Sequence, residues 1–196
     1  MSTRAALPPT LDVPDGRPSI EQVWRWLDAV ADPEIPVISV VDLGIVRTVA
    51  WVANEEGDGG LAHPDVTCVV TITPTYSGCP AMAVIAESIS LALQARGIAR
   101  VTIATQLAPA WTTDWMSANG KQKLTGYGIA PPAEQVIDIS GISRKTSGLP
   151  KPRLVVACPL CGSTHTALTS QFGSTPCKAL YRCEDCREPF DYFKCH

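Results

Sequence analysis

Hydrophobic residues first recur at helical spacing at Ile20, Val23, Trp24, Leu27, Val30 and Ala31, which predicts one apolar helix face. Ser19 suits the N-cap, and Gln22 stands three residues on, as a capping box requires. Asp32-Pro33 is the expected stop, because the residue before proline is pushed out of the α region. Two prolines and a glycine then surround three carboxylates in Asp32-Pro-Glu-Ile-Pro36, Val37 to Val41 and Asp42-Leu-Gly-Ile-Val46, predicting an ordered loop with a turn near Gly44. Ile45 to Val52 alternates as a strand, and Asn54 to Pro64, rich in glycine and acids, reads as an exposed connection. Val66 to Thr73 alternates again, with Val66, Cys68, Val70 and Ile72 on one face, so Cys68 is expected in the core and inert.

Residues Pro80 to Arg96 fit a helix, with Ala81, Val84, Ile85, Ile89, Ala92 and Leu93 on one side and Gly97 as its stop. Val101 to Leu107 alternates as a third strand, making a strand–helix–strand unit with parallel strands and a right-handed crossover. The predicted fold class is α/β: a small mixed sheet with packed helices, plus a C-terminal zinc-ribbon-like β module. Trp111 and Trp115, four apart, are expected to pack on the sheet, and Ser117 to Leu124 suggests a short helix. A further strand-like run, Leu154 to Ala157, opens the C-terminal module. The boundaries that follow are a loose arm at 1–18, an α/β domain at 19–130, a linker at 131–153 and a ribbon at 154–196.

Six of the eight cysteines fall in the last forty residues, and this clustering says more than their number. Cys158-Pro-Leu-Cys161 and Cys183-Glu-Asp-Cys186, about twenty residues apart, have the spacing of a four-thiolate tetrahedral zinc site. A module this short buries too little apolar surface to fold unaided, so the metal would supply much of its stability. Iron in the same geometry, or an iron–sulfur cluster drawing on Cys177 or Cys195, are the alternatives. His165 and His196 stand outside the ligand spacing and are expected at the surface.

Cys79 is a different kind of thiol. It follows Thr71-Ile-Thr-Pro-Thr-Tyr-Ser-Gly78 and precedes Pro80, expected as the first helical residue, so it is placed at or beside an N-cap. The helix end there favours an anion, and the thiol is expected to shift toward the thiolate that binds metals and attacks electrophiles. No base in a Cys/His arrangement accompanies it, which argues against a thiol enzyme; His63 falls in the connection before the second strand.

Charge removes several classes of function. A net charge of −3 and a pI near 5.6 give no nonspecific attraction to nucleic acid or anionic lipid. In the ribbon, Arg153, Lys178, Arg182, Arg187 and Lys194 are interspersed with Glu184, Asp185, Glu188 and Asp191, leaving no clean phosphate-binding face. A protein partner is the better expectation. No apolar run reaches membrane-spanning length and the first residues lack a secretory apolar region, so the expected location is the cytoplasm.

Three motifs now stand in order over roughly residues 20 to 120: Asp32-Pro-Glu-Ile-Pro36, Asp42-Leu-Gly-Ile-Val46, and Thr71/Thr73 with Gly78-Cys79-Pro80. They resemble the SufT-like family of iron–sulfur-cluster assembly domains. With a ribbon ending Phe190-Asp-Tyr-Phe-Lys-Cys-His196, the chain as a whole resembles the PaaD family of bacterial phenylacetyl-CoA epoxidase systems, which degrade phenylacetate aerobically. The resemblance implies an accessory factor, not an enzyme, that assembles or delivers iron–sulfur or other metal centres to the epoxidase, its iron–sulfur reductase above all. It places the functional residues at Cys79, Asp32, Glu34, Asp42 and Thr73. The span Pro-Thr-Tyr-Ser-Gly between Thr73 and Cys79 is longer than in many relatives. One thiol per domain holds a cluster poorly, so a partner surface or a homodimer would complete the site. The alternative function is a structural adaptor that docks through its ribbon. From residue type alone, Asp32 and Asp42 are also what turn and cap chemistry selects.

Overall fold

The computed structural model describes residues 17–53, 66–76, 78–132 and 155–194. The chain divides into two compact units, Met1–Trp111 and Thr112–His196. In the first, α1 (Ile20–Leu27) is followed by β1 (Val46–Ala53), β2 (Val66–Ile72), α2 (Met82–Gln94) and β3 (Val101–Thr105). The sheet order is β1-β2-β3, with β1 antiparallel and β3 parallel to the central β2, so the expected mixed sheet is present. Because β2 and β3 run the same way, the loop carrying Cys79 lies at a carboxyl end of the sheet, where open α/β sheets gather ligands.

Local chemistry explains most element ends. Ser19 caps α1, its Oγ accepting the Gln22 N–H at 3.1 Å. The α2 helix ends in a Schellman turn: the Ile98 N–H reaches Leu93 O at 3.2 Å, Gly97 N–H reaches Gln94 O at 2.9 Å, and Gly97 sits at φ 89°. Ile85, Ile89 and Leu93 bury the inner face of α2, each contributing about 1.5–3 kcal/mol relative to exposure. Cys68 is fully buried in β2, and burial pushes its thiol up to about 11, as befits an inert core residue.

Two helix boundaries differ from the sequence pattern. The α1 helix stops at Leu27, short of Asp32, because the chain turns at once: Asp28 Oδ1 accepts the Ser39 hydroxyl at 2.8 Å, and Ala31 bridges Ser39. Val30 stays buried all the same. The α2 helix starts at Met82 with Ala81 as N-cap, so Pro80 lies outside it and Cys79 stands two residues before the cap.

In the second unit, α3 (Ala118–Gly126) is capped by Ser117, whose Oγ accepts the Gly120 N–H at 2.8 Å. It leads into β4 (Ile129–Ala130), then β5 (Thr166–Ser170), β6 (Lys178–Cys183) and β7 (Pro189–Phe193). The sheet order is β4-β7-β6-β5, antiparallel except for β4 against β7. Thr112 to Ala130 therefore fall with the ribbon, against a boundary expected at residue 130, since a two-residue strand carries no alternation to announce its partner. Trp111 is buried in the first unit and donates to Leu43 O at 2.9 Å, whereas Trp115 belongs to the second. Val155 to Ala157 join no strand; Val156 O instead accepts the Thr166 hydroxyl at 2.7 Å. The rest of the expected arm, the connection at 54–64 with His63, the linker beyond Pro132, Leu154, Cys195 and His196 lie outside the described residues.

Around Tyr181 the ribbon core is aromatic: Phe190 stacks on it at 6.0 Å and Tyr192 meets it edge-on at 5.5 Å. Beside this core Lys178 is buried and pairs with Asp191 at 3.5 Å, and Ser174 Oγ donates to the same carboxylate at 2.9 Å. Gly173 must be bare there, since an added Cβ would come within 2.6 Å of Asp191 Oδ1 and 3.2 Å of Lys178 Cβ. Gly173→Ala should destabilise the metal-loaded protein by about 1–3 kcal/mol, read as a lower midpoint of ribbon unfolding in denaturant. An unchanged midpoint would show that Asp191 yields freely.

Candidate functional site

The segment from Asp32 to Ile45 has no regular structure, yet Ile35, Ile38, Val40, Leu43 and Ile45 are buried in it. A buried loop must satisfy its own backbone. Here Asp32 N–H bonds Ile38 O at 2.9 Å, Val40 N–H bonds Val30 O at 3.0 Å, and Leu43 N–H bonds Ser39 O at 2.9 Å. Asp32 is 7% exposed, and its Oδ1 accepts the N–H groups of Glu34 at 2.9 Å and Ile35 at 2.8 Å. That carboxylate builds the turn that carries Glu34. Asp42, also buried, is held by its N–H on Ser39 Oγ at 2.9 Å.

The second loop is tied to the first where it leaves β2, through Thr73 N–H on Ile45 O at 2.9 Å. Thr73 is 1% exposed, and its Oγ1 has no hydrogen-bond partner among the described residues. A turn follows, with Cys79 N–H on Tyr76 O at 3.3 Å and Gly78 at φ 93°, a conformation glycine reaches without strain. Cys79 emerges half-buried.

The charges of Glu34 and Asp32 act on the Cys79 thiol. Burial pushes the Cys79 thiol up; a backbone N–H from Ala81 pulls it down; the charges of Glu34 and then Asp32 push it up; a hydrogen bond from Tyr76 pulls it down. The net direction is upward. This reverses the expected shift toward thiolate: the helix end does supply a donor, through Ala81, but burial and the nearby acids outweigh it. Tyr76 and Ala81 are not legible in the sequence as partners of the thiol, since neither residue type marks a donor to sulfur. The i, i+3 spacing of Tyr76 to Cys79 across Ser77-Gly78 is the available signal.

In the second unit the four cysteines of the two C-x-x-C pairs converge. Their sulfurs lie within 4.8 Å of one another, with 3.8 Å between Cys158 and Cys186 and 3.6 Å between Cys161 and Cys183. A tetrahedron of thiolates around a metal at about 2.3 Å has edges of about 3.8 Å, so these residues fit a four-coordinate metal. Each pair sits in a turn closed behind it: Cys158 N–H bonds Ser163 O at 2.8 Å, and Cys183 N–H bonds Glu188 O at 3.0 Å. Gly162 at φ 76° and Arg187 at φ 69° make the reversals. The backbone N–H of Cys186, aimed at the Cys183 sulfur, is the main cause that brings that thiol down to about 7, against the cost of burial.

His165 is exposed and engages Asp185 at 3.2 Å, while Asp185 also accepts the Ser163 hydroxyl. It braces the second turn and is not a ligand. Cys177 is buried, with its sulfur 3.0 Å from Thr175 Oγ1, and is not part of the four-sulfur group. Among the described residues no other group of three or more Cys, His, Asp or Glu side chains converges to this degree. Cys79 with Asp32 and Glu34 is thus not a closed chelate. Among them, too, no helix is long and apolar enough to cross a membrane.

Residues 20–104 match the family described as iron-sulfur cluster assembly protein, and residues 143–194 match the PaaD zinc beta ribbon domain. Over 178 residues the chain is 46% identical to an Escherichia coli (strain K12) protein named as a putative D subunit of 1,2-phenylacetyl-CoA epoxidase, covering 91% of this chain and 94% of that one. The chain belongs to the PaaD family.

Two solved structures are also similar to this PaaD-family chain. A domain of unknown function, DUF59, from Bacillus anthracis is 26% identical, covering 54% of this chain and 90% of that one at a TM-score of 0.43. A Mycobacterium tuberculosis protein described as associated with Fe–S complex assembly and repair is 27% identical, covering 56% and 82% at 0.31.

Two outcomes follow from this geometry. Replacing Glu34 by Gln removes a charge that opposes the thiolate, so Cys79 should ionise at lower pH and its alkylation near pH 8 should quicken several-fold. The pH profile of Cys79 labelling in the folded protein, read by mass spectrometry, checks this; a profile moved upward would contradict it. Stripping metal from the ribbon with a chelator should remove most of the β signal of residues 155–194, because the small core around Tyr181 is too little to hold the strands by itself. Amide exchange across β5 to β7 measures it, and protection retained after metal loss would contradict it.

Proposed function

We propose that this protein is an accessory maturation factor of a phenylacetyl-CoA epoxidase system. In this reading it receives iron or an iron–sulfur cluster at Cys79 and passes it to a client, with the system's iron–sulfur reductase as the foremost candidate. The observation that carries the reading is the thiol itself. Cys79 is half-buried at the mouth of the β2–α2 loop, faced by Glu34 and Asp32, in the segment matching iron–sulfur cluster assembly proteins. A protonated thiol beside two carboxylates is a poor nucleophile but a good place for a cation, which relieves the repulsion and releases the thiol proton. The buried hydroxyl of Thr73 adds an unused donor at the start of the same loop. Asp42 acts at a distance from the cargo, through the Ser39 clamp on the first loop.

One sulfur and two carboxylates that do not close on a point bind metal loosely, which suits a carrier more than a store. The remaining ligands come from the client or from a second copy of this chain. No step is catalysed; the ribbon thiolates Cys158, Cys161, Cys183 and Cys186 hold zinc as a resident structural ion, and the protein works in the cytoplasm. The alternative, a purely structural adaptor, has one observation in its favour: Leu160, at the tip of the first metal turn, is 58% exposed, and Phe172 is 68% exposed.

Anaerobic reconstitution separates the two. With iron, sulfide and apo-reductase, the wild-type protein should accelerate activation, and Cys79→Ala should lose at least about tenfold of that acceleration while still binding the client. Full activation by Cys79→Ala would remove the carrier reading. Activation and client binding that both vanish on Leu160→Asp, with Cys79→Ala silent, would establish the adaptor.

A further inference from the structure

The four sulfurs of the ribbon are not held alike. Cys158 and Cys183 are buried in the core around Tyr181, whereas Cys161 is exposed and Cys186 half-buried. Loss of an ion from such a site begins with the ligands that can swing clear, and those are Cys161 and Cys186. Each lies close to one end of a strap of side chains. Ser163, two residues beyond Cys161, donates its hydroxyl to Oδ2 of Asp185, the residue just before Cys186. The other carboxylate oxygen, Oδ1, takes His165 Nδ1 at 3.2 Å, and the His165 backbone N–H returns to Ser163 Oγ at 3.0 Å. A carboxylate has no proton to give, so Nδ1 carries the hydrogen. Beside the strap, Glu184 N–H meets His165 O at 2.8 Å, a main-chain bond that outlasts any side-chain change.

We infer that the Ser163–Asp185–His165 strap governs how long the ribbon keeps its metal, by tying the turn of Cys161 to the turn of Cys186 on their exposed side. With His165 72% and Asp185 58% exposed, the strap adds little to folding stability. Its place gives it another use. Cys161 and Cys186 lack the packing that fixes Cys158 and Cys183, and they separate only as far as the strap lets the two turns part. Charge adds a second reason. Four thiolates around a divalent ion leave a net negative charge, and a loose carboxylate next to Cys186 would repel it or compete for a ligand position. Both oxygens of Asp185 are instead engaged, which holds the carboxylate off the sulfurs. Ser163, Asp185 and His165 are positioning residues and none is a ligand. The inference rests on the reading of the four cysteines as the seat of a resident ion.

In the zinc-loaded full chain, transfer of zinc to an excess of a chromogenic chelator gives the release rate. Asp185→Ala and Ser163→Ala should each quicken release about tenfold. Asp185→Asn should fall between wild type and Asp185→Ala, because its amide oxygen still accepts the Ser163 hydroxyl. The double variant Ser163→Ala/Asp185→Ala should be no faster than Asp185→Ala alone, since one strap breaks only once. Two unrelated losses of packing would multiply instead. Cobalt in place of zinc should give the same four-thiolate absorption in every variant, as an intact ligand set requires. Release at the wild-type rate, rates that multiply in the double variant, or a cobalt spectrum altered by Asp185→Ala would each overturn the inference. A wild-type chain that takes up no cobalt fails the resident-ion reading and this inference with it; uptake with unchanged release fails the strap alone.

Discussion

A buried carboxylate must be satisfied or it will not stay ionised, and Asp32 is satisfied by the turn it creates. Its Oδ1 takes the N–H groups of Glu34 and Ile35, and in doing so it converts the helix exit into a compact loop. That loop then buries five large aliphatic residues in a segment with no ladder of its own. Everything at the mouth of the sheet depends on this. The Ile45 carbonyl that anchors Thr73, and through it the start of the Cys79 loop, is in place because the preceding residues are folded onto Val30 and Ala31. Asp32 therefore has two effects. It caps the turn through its Oδ1, and its charge acts on the Cys79 thiol.

The two units use sulfur in opposite ways. In the ribbon, four thiols are brought within bonding distance of one metal, and the backbone N–H of Cys186 favours the ionised form of Cys183. The chain closes each turn behind its cysteines, so a metal held there would be part of the fold. In the α/β unit a single thiol is half-buried and raised, with acids near it and no second sulfur converging among the described residues. The first arrangement retains an ion. The second does not close on a point.

Periodicity reveals the elements whose residues repeat. Alternation around Cys68 marks β2 and its buried face, Gly97 marks the end of α2, and Ser19 with Gln22 marks the start of α1. The paired cysteines are legible because metal geometry leaves few spacings open. What stays hidden is decided by contacts distant in sequence. Asp28 meeting Ser39 ends α1 early, and pairing with Asp191 and Tyr192 draws Ile129 and Ala130 into the ribbon sheet. The motif resemblance points to Asp32, Glu34 and Cys79 as a group, and the charges of Glu34 and Asp32 do act on the Cys79 thiol. The direction of the thiol shift is illegible for a physical reason: a helix end can be seen in the sequence, whereas the desolvation and the two facing acids come only with the folded chain.

That reversal bears on how a carrier can work. A thiol lowered by a helix terminus would be reactive in the free protein, open to oxidation and to any passing metal. A thiol kept up by burial and by Glu34 is quiet when empty, and the same charges that keep it protonated become attractive once a cation is present. In the proposed carrier the acids would thus oppose the empty anion and favour the loaded state. In the proposed carrier, release would need a competitor with more sulfur ligands than one, as a client's cluster site would have. On this view the incompleteness of the Cys79 site is what gives transfer its direction.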